Sequence, residues 1–238
     1  DLAKIEYDPE AYELYLKAKD LYARSDNADQ DGEAINMMQD VIELDNKLIA
    51  AQLKLGQMYY DNAQYGRAET IFTQSLKKSR ELEDNTNVAE SLRKQGQLFR
   101  KQRQIETALE KFNEALSIST VMNDKNSMAK IMNSIAILYY QTDRLDEALE
   151  YFRRNSDLQP KDVVVQLQTA TTALLAEDYE TFETYMERAL ELEPENPHGL
   201  KLLATANFRA QKYKEAAELY RQALPGMPED VELILAMG

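Results

Sequence analysis

The chain has 238 residues, 44% of them apolar, with only 7 Gly and 6 Pro. So few chain breakers argue against a turn-rich β sandwich or barrel. It has no Cys and one His, which excludes a disulfide framework, a thiolate zinc site, a cysteine nucleophile and a multi-histidine metal centre. Twenty-eight basic against 42 acidic side chains give a formal charge of −14, which opposes nonspecific binding to nucleic acid or to an anionic membrane surface. No apolar run approaches the roughly 20 residues needed to insert in a bilayer, and no secretory leader pattern opens the chain. Its first residue is Asp1 rather than Met, which reads as a processed or excised piece.

In chain order, the hydrophobic spacing is helical nearly throughout. After Asp8-Pro9, apolar and small residues recur at Ala11, Leu14, Ala18 and Leu21, intervals of three and four. The next stretch, Asn27-Ala28-Asp29-Gln30-Asp31-Gly32, matches the start of an EF-hand-type calcium loop. Its twelfth position is Met38, where such a loop needs a bidentate Glu. We therefore expect no metal, and read the stretch as a long polar turn with Asp31 capping the following helix. Leu53, Leu55, Met58 and Tyr59 lead to Ala68, Ile71, Phe72 and Leu76, again at the helix period.

The same phrase then returns. Gly56-Gln57-Met58-Tyr59 matches Gly96-Gln97-Leu98-Phe99 and Ala136-Ile137-Leu138-Tyr139. Twelve residues downstream of each first residue stands Ala68, Ala108 or Ala148, and four further on Phe72, Phe112 or Phe152. Repetition at this period is the signature of a solenoid. On these residues the chain resembles the tetratricopeptide repeat (TPR) family. Six repeats are aligned on Ala18, Gly56, Gly96, Ala136, Ala170 and Ala204, spaced 38, 40, 40, 34 and 34 residues apart. The last fits best, with Ala204, Ala216, Tyr220, Ala223 and Pro228. The fifth is looser, with Phe182 and Met186 in the slots for Ala and an aromatic.

The resemblance implies an all-α fold, a right-handed α-solenoid (superhelix) of helix-turn-helix repeats. It implies a single domain over 1–238, with repeats at 11–46, 49–88, 89–128, 129–162, 163–196 and 197–228, and a capping or truncated helix at 229–238. Small residues let the paired helices approach closely, aromatics fill the space beside them, and Pro stops the second helix. The six extra residues of the 40-residue repeats fall after the Ala slot that follows the second aromatic. We expect them to lengthen helix B by about 9 Å, ahead of the polar loops Asp84–Asn87 and Asn123–Asn126.

Catalytic constellations are poor. His198 follows Pro197 at a helix start and reads as an exposed or groove-facing imidazole. No glycine-rich phosphate loop or nucleophile elbow occurs. The eight acids of 177–195 follow a solvated helix face. The chain reads as a noncatalytic protein with no cofactor.

One segment departs from the acidic background: Arg93–Arg103 carries five basic residues and no acid. The resemblance implies that Gln57, Tyr60, Arg93, Gln97, Arg100, Lys101, Lys130, Asn133, Ile137 and Tyr140 line a concave groove. Guanidinium and amide groups suit carboxylates and peptide backbone, and Tyr supplies rigid contact area. The plain counter-reading is that these cations balance nearby acidic helices. The carboxylate clamp of chaperone-binding TPR proteins is not reproduced, since the second repeat offers Leu53 and Gln57 where the clamp carries Lys and Asn. The expected function is a protein-interaction scaffold holding a peptide or helix of a partner, acidic in character. The alternative is a regulatory or sensory module of a larger bacterial signalling protein, motivated by a likeness over Asp8–Lys17. Nothing in the sequence specifies an oligomer.

Overall fold

The computed structural model describes residues 7–230. Among them there are helices and turns but no strand. Twelve α-helices follow one another in pairs: α1 (Pro9–Arg24) and α2 (Ala28–Leu44), α3 (Ile49–Asp61) and α4 (Tyr65–Glu81), α5 (Asn85–Lys101) and α6 (Ile105–Val121), α7 (Lys125–Gln141) and α8 (Leu145–Leu158), α9 (Val163–Leu175) and α10 (Tyr179–Leu192), α11 (Pro197–Arg209) and α12 (Tyr213–Ala223). A 3-10 turn, Leu224–Gly226, follows the last. The chain divides into two compact units, Asp1–Ser134 and Ile135–Gly238, the division falling inside α7.

In the first unit, side-chain caps start α1, α2 and α5, whereas α3, α4 and α6 begin without one. Asp8 accepts from the backbone N–H groups of Glu10 (2.8 Å) and Ala11 (3.1 Å), with Pro9 as the first helical residue. Asn27 accepts from Gln30 N–H at 3.0 Å and starts α2. This corrects the expected role of Asp31, which lies in the first turn of the helix and caps nothing. Met38, in the slot of the calcium Glu, is fully buried in the core. The core of the unit is built where the repeat places small and large residues opposite each other. Ala18, Ala34, Ala68 and Ala108 are fully buried, as are Phe72 and Phe112 to within 1%. The glycines answer to the rings: a Cβ on Gly56 would stand 2.4 Å from Phe72, and one on Gly96 would stand 2.6 Å from Phe112. Where α4 meets α5, the buried hydroxyls of Ser75 and Ser91 satisfy each other at 2.8 Å.

The long repeats are built differently from expectation. The second helices α4 and α6 have 17 residues and α8 and α10 have 14, so helix B gains three residues, not six. The next first helix gains four, since α5 and α7 have 17 residues while α9 and α11 have 13, and the connection between repeats is one residue shorter. Asp84–Asn87 is accordingly a cap and first turn rather than a loop. Asp84 accepts from Asn87 N–H at 3.0 Å, and Asp124 from Ser127 N–H at 3.1 Å. These short connections use one turn geometry. Ala63, Glu83, Arg103 and Asn123 have φ between 52° and 61°, at intervals of 20 residues. Each is followed by a backbone bond closing the helix end, such as Gln64 N–H to Tyr59 C=O (2.8 Å) and Asp84 N–H to Ser79 C=O (2.9 Å).

In the second unit the same turn joins the two helices of each pair, at Asp143, Glu177 and Gln211. Between pairs the chain instead passes through extended residues to a cap. Asp162 accepts from Val164 N–H (2.9 Å) and Asn196 from Gly199 N–H (3.0 Å). Ala136 and Ala148 enclose Phe152, Ala170 and Ala173 face Phe182 and Met186, and Ala204 and Ala216 face Tyr220. The aromatic slot of the second helices is thus buried in every repeat from Phe72 to Tyr220, whereas in the first helices Tyr59 is buried and Phe99 and Tyr139 are half-buried. Of the expected helix at 229–238, Glu229 and Asp230 lie in a turn, and the remainder lies outside the described residues.

Candidate partner-binding faces

Eight of the ten expected groove residues belong to the first unit, on α3, α5 and the first part of α7. Packing their helices by the small-residue rule turns Gln57 toward α5. Its amide oxygen accepts from Lys94 Nζ at 2.6 Å, and its Nε2 donates to Asp61 Oδ1 at 2.6 Å. Burial, with Arg93 beside it, pushes the Lys94 ammonium down to about 8. Arg93 reaches back one turn and donates from Nε and Nη2 to the two Glu90 oxygens, at 2.8 and 2.6 Å. Burial alone would raise the Glu90 carboxyl, but the Arg93 hydrogen bond, with the charges of Arg93, Lys94 and Lys130, holds it below the usual range.

The first unit therefore gathers Gln57, Arg93 and Lys130 around Glu90 and Lys94. The five cations of Arg93–Arg103 are not an unopposed patch: Glu90, three residues ahead, takes Arg93. An acid and a base three apart share a helix face, and that spacing was the signal for the pair. Lys94 has no comparable signal, because its depth depends on α3. Tyr60 packs edge-on against Tyr65 at 5.8 Å. Burial raises its phenol, and the charge of Arg100 partly offsets this. Gln97 and Asn133 are half-buried, and Lys101 and Lys130 are exposed. Nearby, Lys54 lies 4.8 Å from the centre of the Tyr22 ring.

Ile137 and Tyr140 belong to the second unit, where they line a pocket of about 590 Å³. Phe152 from α8 closes it, Val164, Leu167, Gln168, Thr171 and Thr172 from α9 form one wall, and Asn196 and His198 stand at the start of α11. Val164 is 58% exposed and Tyr140 39%. None of the lining side chains carries a formal charge, apart from the ionisable His198, and α9 has no Asp, Glu, Lys or Arg in its 13 residues. The Thr171 and Thr172 hydroxyls donate to the carbonyls one turn back, at 2.7 and 2.9 Å. His198 is exposed and stands at this pocket. Charge does not mark α9 in the sequence, because it has none. Its signal was a helix with apolar residues on an expected groove face.

No group of three or more acidic or histidine side chains suited to a metal occurs among the described residues. Nor is any helix among them long and apolar enough to cross a membrane.

Paired helices of this length, with small residues at their crossings, define a helical-repeat protein. Three tetratricopeptide-repeat models match residues 47–120, 128–155 and 167–230, and the chain belongs to the tetratricopeptide repeat family. No curated protein matches the sequence. Among solved structures, the chain is similar to PilW, a widely conserved type IV pilus biogenesis factor (17% identity, 97% of this chain and 100% of that one, TM-score 0.73). It is also similar to PilF of Pseudomonas aeruginosa (18% identity, 95% and 96%, TM-score 0.70). A third is YrrB, a TPR protein with an unusual peptide-binding site (14% identity, 84% and 96%, TM-score 0.59). At these identities the likeness shows the fold.

Proposed function

We propose that the chain is a noncatalytic protein-interaction scaffold that binds a segment of a partner protein on first helices of its repeats. The observation that carries this reading is the pocket beside Ile137 and Tyr140, with Val164 left more than half exposed. An apolar recess of this size with solvent-facing aliphatic and aromatic walls is where partner side chains gain most from leaving water. In the first unit, Lys130 and Lys101 are exposed cations on first helices and favour a partner with acidic residues there. The peptide-binding site named for YrrB is consistent with this use of the fold. Asp8–Lys17, the basis of the regulatory-module alternative, is accounted for locally as the cap and opening turns of α1.

The test is site-specific photo-cross-linking in the source organism. A benzophenone side chain at Tyr140 should capture a discrete partner, and one at the exposed Glu150 on α8 should not. Equal capture from both positions, or none from Tyr140, contradicts the proposal.

A further inference from the structure

We propose that the pocket of the second unit takes an extended partner segment whose inserted side chains are apolar and uncharged, held by backbone hydrogen bonds to Gln168. This rests on the scaffold reading above and names the chemistry of what it binds.

Two observations select the occupant. The first is charge. In a chain where 29% of residues are charged, the pocket wall supplied by α9 has none, and apart from the ionisable His198 no lining side chain could pair an inserted carboxylate or ammonium. Burying an unpaired charge there is strongly unfavourable, whereas Ile137, Val164 and Leu167 reward aliphatic or aromatic groups. The volume of about 590 Å³ exceeds that of one side chain, so it suits a run of residues rather than a single anchor.

The second observation is which polar groups remain unspent. The hydroxyls of Thr171 and Thr172 bond their own helix, and Asn196 caps α11. Tyr140, Gln168 and His198 make no side-chain hydrogen bond among the described residues. Gln168, half-buried on the wall, offers one acceptor and a donor group, the complement of a single peptide unit. An α-helix has spent its backbone groups internally, but an extended segment presents them unpaired, so these three side chains favour an extended occupant.

The experiment selects random peptides of about twelve residues, roughly 40 Å when extended, by phage display on the immobilised full chain. Winners are remeasured as fluorescein-labelled peptides by fluorescence polarisation. We expect winners with an uncharged apolar centre. Val164→Glu should weaken them by about tenfold or more, and Gln168→Ala by about fivefold. Val164 is 58% exposed, so Val164→Glu should melt like the parent. Winners with acidic centres, weakened by Arg93→Glu and Lys130→Glu but indifferent to Val164→Glu, overturn this inference and leave the scaffold reading standing. Tighter binding of lactam-bridged helical versions of the same peptides overturns the extended geometry. If no peptide is selected, or binding ignores every substitution, both readings fail.

Discussion

Replacing Gly56 by Ala and Gly32 by Ala should move stability in opposite directions. Both glycines lie in helices, where Ala is favoured by about 1 kcal/mol. Around Gly32 an added Cβ meets nothing within 4 Å, so that gain should be realised. At Gly56 the Cβ would stand 2.4, 2.6 and 3.1 Å from three carbons of the Phe72 ring, against an ordinary contact of about 3.5–4.0 Å. Phe72 is 1% exposed, so its ring has no open space into which to retreat, and the displacement of about 1 Å passes to α3 and α4. Overpacking of this kind costs about 1–3 kcal/mol. Taking the upper part of that range and subtracting the helix gain leaves Gly56→Ala destabilised by about 2 kcal/mol, roughly 3 kcal/mol apart from Gly32→Ala. Urea denaturation followed by far-ultraviolet circular dichroism measures both. Adding Phe72→Leu to Gly56→Ala should recover part of the loss, because the vacated volume accepts the methyl group. If Gly56→Ala stabilises as Gly32→Ala does, the close approach of helix and ring is not what holds the repeat together.

Three further outcomes follow from particular contacts. Lys94, pushed down to about 8 by burial, holds fewer protons folded than unfolded between about pH 8 and its ordinary value near 10.5. Its charged form therefore opposes folding fully below pH 8, and the penalty fades as pH rises through that window. Lys94→Met should raise stability at pH 7 by about 1–3 kcal/mol, and urea titrations at pH 7 and 10 should show the gain shrinking. Ser75→Ala leaves the buried Ser91 hydroxyl without its 2.8 Å partner and should cost about 1–3 kcal/mol, with Ser75→Ala/Ser91→Ala closer to neutral in a double-mutant cycle. At Glu177, φ 59°, Gly should stabilise by about 0.5 kcal/mol, while the β-branched Val should cost about 1–2 kcal/mol, read from thermal melts.

What was legible in the sequence was the part set by packing. The interval from Gly56 to Ala68 to Phe72, repeated at Gly96, Ala108 and Phe112, records a helix crossing that tolerates only small residues opposite a ring, where an added Cβ would meet the ring at 2.4 or 2.6 Å. The turns were not legible, because left-handed positions filled by Ala63, Glu83, Arg103 and Asn123 carry no glycine to mark them. Hence spacing alone places the extra residues of the long repeats in helix B, whereas the repeated turn shares them with the next helix. Of the expected binding residues, Arg93 and Gln57 turned out to have partners within the chain, Glu90 and Lys94. A count of charges along one stretch cannot register an acid one turn before it or a lysine buried by another helix. The pocket wall on α9 was overlooked for the converse reason: it has no charge to attract notice, and Val164 and Gln168 matter only because Ile137, Tyr140 and His198 stand around them.

The most direct test of the partner-binding account is the structure of the chain with the segment captured from Tyr140 bound. The account predicts an extended segment against Ile137, Val164 and Leu167, its backbone bonded to Gln168. A segment seated instead on the outer faces of α8 and α10, leaving that pocket open, would contradict it.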